Sequence, residues 1–93
     1  MEEKFISAWF ANREAAQALG VRLRPVERQD AMKQARRALG GSRTSDGFGT
    51  LAEKGRLDLS LEALAVDKRF TALFSDEEAN NALMRLLDAG YQF

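Results

Sequence analysis

Three consecutive acidic residues, Asp76-Glu77-Glu78, form the densest set of reactive side chains in this 93-residue chain. Neighbouring carboxylates can act as general acid and base or gather a hard cation. Their setting favours neither use. Ser75 precedes them and Glu78 stands three residues beyond it, the spacing of a capping box, so the negative charges crowd a helix N-terminus and offset its dipole. Asp58, Glu62 and Asp67 lie in a stretch without a nucleophile signature, and no Asp-x-Asp or Glu-x-x-His metal spacing occurs. The chain has neither His nor Cys. That removes imidazole and thiolate ligands, disulfides and the Ser-His or Cys-His nucleophile pairs. No catalytic residue, metal site or cofactor is expected, and the chain reads as a non-enzyme.

Residues 40–49, Gly-Gly-Ser-Arg-Thr-Ser-Asp-Gly-Phe-Gly, carry four glycines. A phosphate cradle would need a strand before them and a Gly-Lys-Ser/Thr ending after them, and both are missing. The stretch reads as a flexible Gly-rich connector.

The elements that must position these residues read as helices. Residues 2–19 contain no Gly or Pro, and Gly20 stands where a helix stops. Leu19, Phe5, Ala16 and Trp9 fall on one stripe. Ile6 and Phe10 widen the apolar arc to roughly half the circumference, where a surface helix needs about 100°. Val21 to Pro25 alternates like a strand but has no second strand to pair with, so it reads as an extended connector. Pro25 suits the first turn of a second helix running to about Leu39 and stopping at Gly40-Gly41. That helix carries a face of Ala31, Ala35, Ala38, Leu39 and Met32, with Lys33, Arg36 and Arg37 turned to solvent.

Short helices are expected after the connector, the first near Phe48 and Leu51, with Ser45 or Asp46 as a cap. Ser60 is a natural cap for Leu61, Leu64 and Ala65. The final helix, 76–89, carries Ala79, Ala82, Leu83, Leu86 and Leu87 on one stripe. Gly90 closes it, and Tyr91 folds back toward Leu86. The terminal Phe93 reads as docked. Neither half holds enough large apolar side chains for its own core. The expected fold is all-α, a single compact domain spanning 1–93 with about four to five helices: two longer N-terminal ones, then short ones, then the capped C-terminal one.

The composition is that of a globular protein, 45% hydrophobic and 30% charged, with fourteen basic and fourteen acidic residues. Net charge zero argues against a nucleic-acid coat. The charge is unevenly placed: seven basic against two acidic residues over 20–43, and five against nine over 44–93. The first ten residues begin acidic and reach Asn12 and Arg13 before any long apolar run, unlike a signal peptide or a spanning helix. A cytoplasmic location and no membrane partner are expected.

Glu14 to Val21, followed by Val26, resembles the helix-turn-helix pattern of DNA-binding proteins. Ala16, Leu19, Gly20, Val21 and Val26 fill its small, apolar, turn and recognition-helix places. The resemblance covers about a fifth of the chain and departs from the pattern at Gln29, where the family places a buried aliphatic residue. It implies that Arg22, Arg24 and Arg28 contact nucleic acid. The leading expectation is instead a small helical module that docks against another protein or a second copy of itself. Ile6 and Phe10, in excess of one core face, are the candidate docking residues.

Overall fold

A computed structural model describes residues 1–92; Phe93, and with it the expected docked tail, lies outside the described residues. Five α-helices follow one another: α1 (Glu2–Ala18), α2 (Ala31–Gly40), α3 (Phe48–Glu53), α4 (Leu61–Ala65) and α5 (Asp76–Asp88). Short 3₁₀ turns at Arg28–Asp30, Leu57–Leu59 and Thr71–Leu73 join them, and no strand occurs among the described residues. The radius of gyration, 11.9 Å, matches the roughly 12 Å of a single compact domain of this length. The all-α, single-domain architecture expected from the sequence is present.

Helix α1 ends as its sequence dictates. Gly20 takes a positive φ, and the Val21 amide donates to the Ala16 carbonyl at 3.1 Å. Phe5, Ile6, Trp9 and Ala16 are buried. Phe5 is the hub of the larger core cluster: its ring meets Phe70 and Phe74 edge-on, at centroid distances of 5.6 and 5.2 Å, the geometry that aligns positive ring edges with negative faces. Ala31 and Ala35 of α2 are fully buried in the same cluster, where their small side chains let helices approach closely. A second cluster joins Ala16, Val21, Phe48, Leu51, Leu57 and Leu86. Val66 packs against both clusters.

Helix α2 begins at Ala31, six residues later than Pro25 suggests. Glu27 is extended, with φ −83° and ψ 140°. Packing outweighs the local preference here. Val21 is buried and Leu23 half-buried against the second cluster, while Val26 packs against the first. The alternate residues Arg22 and Arg24 are exposed. The extended connector thus covers two clusters with few residues, which a helix from Pro25 could not do.

The expected caps of α4 and α5 form. Ser60 Oγ accepts from the Ala63 amide at 3.1 Å. Ser75 Oγ accepts from the Glu78 amide at 3.1 Å while Glu78 Oε1 accepts from the Ser75 amide at 2.9 Å. At the other end of α5, Gly90 takes φ +82°, and the Tyr91 amide donates to the Leu86 carbonyl at 2.9 Å. Helix α3 differs from expectation: its N-cap is Gly47, without a side-chain bond. Gly47 has φ +78°, and a Cβ there would lie 2.6 Å from Leu23 Cδ2 and 2.9 Å from Val21 Cγ1. Only glycine meets both the backbone and the packing demand.

A polar knot joins four segments. The Glu62 carboxylate on α4 is fully buried. It accepts from the Ser45 amide at 2.8 Å, from Ser45 Oγ, and from Arg85 Nη1 of α5 at 3.2 Å. The same guanidinium donates to the carbonyls of Ala38 and Leu39, at 3.1 and 3.4 Å, and of Gly41 at 2.7 Å. Asn81 Nδ2 adds a bond to the Leu39 carbonyl at 3.0 Å. A helix C-terminus exposes carbonyls with no intrahelical partner and carries partial negative charge. Arg85 and Asn81 satisfy those of α2, and Ser45 fastens the Gly-rich stretch to the same centre.

Candidate binding surfaces

The knot determines which face α5 buries. Asn81 and Arg85 are one turn apart, so both reach the end of α2 only if the 81, 82, 85, 86 edge faces inward. Ala82 and Leu86 are accordingly buried. Leu83, Met84 and Leu87 are turned out, at 36%, 49% and 51% exposure. The sequence places Leu83 and Leu87 on the core stripe. The correction comes from two polar side chains whose bonds to α2 outrank one more leucine contact. Asp76, Glu77 and Asp88 on the same helix are exposed, while its one cation, Arg85, is spent inside. Leu83, Met84 and Leu87 thus form an exposed apolar ridge, and the charged residues that α5 itself leaves exposed are all acidic.

The docking residues expected on α1 lie elsewhere than on a free surface. Ile6 is 8% exposed and belongs to the larger core cluster. Phe10 is half-buried against that cluster. Its ring meets Trp9 at 6.2 Å and carries the Arg28 guanidinium 5.6 Å from its centroid. Of the broad apolar arc expected on α1, Phe5, Ile6, Trp9 and Ala16 are buried and Phe10 is half-buried, while Leu19, at the end of the helix, is left 38% exposed.

The arginines implied by the helix-turn-helix resemblance are not brought onto one helix. Arg22 and Arg24 lie in the extended connector, and Arg28 opens a 3₁₀ turn. Arg28 donates to Ser7 Oγ at 3.0 Å and pairs with Glu3 at 3.7 Å. A recognition helix presents its first residues to a groove; here the corresponding residues precede the helix.

A cleft of about 380 Å³ opens between α1, the connector, α2 and the Gly-rich stretch. Trp9, Leu59 and Leu61 contribute apolar wall, and Arg13, Arg24 and Asp46 polar wall. Asp46 Oδ2 accepts from the Arg24 amide at 2.6 Å, and Arg13 donates to the Arg24 carbonyl. The Arg13 guanidinium lies 5.6 Å from the Trp9 ring centroid. Its burial pulls its pKa below the ordinary arginine value, and Asp46 opposes that shift. Two serines line the cleft, but both hydroxyls are engaged: Ser45 Oγ with Glu62, and Ser60 Oγ with the Leu57 carbonyl at 2.7 Å and the Ala63 amide.

Two of the acid/base candidates, Asp58 and Asp67, are held in the wrong direction for a general acid, whose pKa must rise toward neutrality. Hydrogen bonding from Arg56 holds the Asp58 carboxyl below the usual carboxylate range, and Arg69 does the same to Asp67. Among the described residues no group of three or more acidic side chains could hold a metal ion, and no helix is long and apolar enough to cross a membrane.

The knot residues Glu62, Asn81 and Arg85 went unrecognised in the sequence. The available signal was one Arg and one Asn, four residues apart, interrupting the apolar stripe of α5. Compared with family models, curated proteins and solved structures, the chain matches none.

Proposed function

We propose that this protein is a non-enzymatic helical binding module that docks a basic amphipathic helix of a partner protein on the outer face of α5. The observation that carries the proposal is the exposure of Leu83, Met84 and Leu87 in a frame of Asp76, Glu77 and Asp88. Residues at i, i+1 and i+4 form one ridge, suited to apolar side chains repeating every third or fourth position on a facing helix. The acidic residues that α5 leaves exposed attract lysines and arginines flanking those anchors. A second copy fits less well, because pairing two α5 helices sets like charges beside one another. The engaged serines and the lowered carboxyl pKa values of Asp58 and Asp67 support binding rather than catalysis.

The test uses synthetic amphipathic peptides with one leucine stripe and either lysines or glutamates elsewhere, titrated calorimetrically. The lysine peptide is expected to bind at least about tenfold more tightly than the glutamate peptide, and to weaken with added salt. Met84→Ser with Leu87→Ser should reduce its affinity at least about tenfold, with the melting curve nearly unchanged because both side chains are half-exposed. Equal binding of the two peptides, or binding indifferent to the double substitution, would overturn the proposal. Self-association abolished by the same substitutions would seat a second copy on α5 instead, and salt-sensitive duplex DNA binding lost on removing Arg22 and Arg24 would favour the nucleic-acid alternative.

A further inference from the structure

We infer that the cleft beside Trp9 is a second binding site, and that it takes a small organic anion whose flat apolar body lies inside while its carboxylate or phosphate meets Arg24 and Arg37. The site is separate in its residues from the ridge on α5 and needs no protein partner.

Its capacity, about 380 Å³, lies within the roughly 300–1,000 Å³ of small-molecule sites. Its wall is mixed in the manner of such sites, with an apolar surface and a few convergent polar groups. Trp9, Val26, Leu59 and Leu61 supply apolar wall, so the body of the ligand is apolar. The charge of the ligand follows from the charged lining of the cleft, three arginines, Arg13, Arg24 and Arg37, against one carboxylate, Asp46. One oxygen of that carboxylate accepts from the Arg24 amide. Arg13 is committed to the Arg24 carbonyl and to the Trp9 face. The side chains of Arg24 and Arg37 have no hydrogen bond or ion pair among the described residues. Two uncommitted guanidiniums at an apolar cleft match an anion, which each can bind through two parallel N–H donors. A cationic ligand would meet repulsion from three arginines, and a neutral one would gain no charge-assisted bond from the two exposed guanidiniums, which would stay hydrated.

The site also reads as prebuilt. The Asp46 bond to the Arg24 amide fixes one wall to the connector, and Ser45 is anchored through the buried Glu62. A ligand therefore meets walls already held in place, which lowers the cost of ordering them.

The experiment is an NMR titration of the isotopically labelled full chain with three probes sharing one ring: indole-3-acetate, indole-3-acetamide and tryptamine, respectively anionic, neutral and cationic. The chain has one tryptophan, so the Trp9 indole N–H gives a single reporter resonance. Indole-3-acetate should shift that resonance and the amides of residues 24, 38 and 46. The acetamide should bind at least about tenfold more weakly, and tryptamine more weakly still. Arg24→Gln with Arg37→Gln should remove the preference for the anion while leaving the spectrum dispersed, since both side chains are exposed. Equal affinities for the three probes, shifts confined to α5, or an anion preference that survives the double substitution would each overturn the inference.

Discussion

Replacing Arg85 by alanine should strip away a large part of the protein's stability, about 3–5 kcal/mol, the cost of leaving a buried charge without its partner. The guanidinium is nearly buried and Glu62 completely so, at 10% and 0% side-chain exposure. Its removal leaves Glu62 with Ser45 alone and takes a donor from each of the Ala38, Leu39 and Gly41 carbonyls. A domain of this length has about 5–14 kcal/mol in all, so the variant should be partly unfolded at moderate temperature. Glu62→Gln should cost less, about 1–3 kcal/mol, because the amide keeps an acceptor for Ser45 and the cation keeps its carbonyls. The double variant should be less impaired than the two losses added together, by about 1 kcal/mol or more, because the two side chains share one interaction. Urea unfolding of the four proteins measures all three quantities. An Arg85→Ala midpoint close to wild type would mean that water, not the guanidinium, satisfies the knot.

Phe5→Ala should be comparably damaging, costing about 3–5 kcal/mol. Phe5 lies in the first turns of α1, where chain ends ordinarily fray. The structure instead buries it fully, against Trp9 at 5.9 Å as well as the two edge-on phenylalanines. Removing the ring opens a void bordered by α1 and the Phe70 to Phe74 segment. Neither wall can close it readily, since each is fixed by other buried residues. Phe5→Leu retains much of the volume and should cost about half as much. Thermal or urea unfolding distinguishes the cases: a loss under about 1 kcal/mol for Phe5→Ala would show a frayed first turn and a core that does not depend on it.

What could be read from the sequence was what neighbouring residues determine. Ser75 with Glu78, Ser60 before Leu61, and the glycines at 20 and 90 each mark a helix boundary through bonds spanning a few residues, and each stands where expected. Pro25 carried a similar local preference for starting a helix and lost to the packing of Val21, Leu23 and Val26 over two clusters. The inner face of α5 departs from its apolar periodicity for a related reason. Counting apolar residues favours Leu83 and Leu87, but the orientation is set by bonds from Asn81 and Arg85 to carbonyls more than forty residues away. Ile6 and Phe10 looked surplus to one core face because the tilt of neighbouring segments across α1 is not written in its own periodicity. The cleft was invisible for the same kind of reason: its walls come from segments far apart in the chain, and no one of them carries a motif.

Both proposed binding surfaces depend on the knot, which orients α5 and anchors one wall of the cleft. Hydrogen exchange at the Ser45 amide tests it most directly. This amide lies in a glycine-rich stretch where rapid exchange is the ordinary expectation, yet it donates to a buried carboxylate at 2.8 Å. The predicted result is exchange slowed at least about a hundredfold relative to the unprotected chain, with much of that protection lost in Arg85→Ala. Exchange at the unprotected rate in the wild-type protein would show that the stretch is untethered and that Glu62 and Arg85 do not hold these elements together.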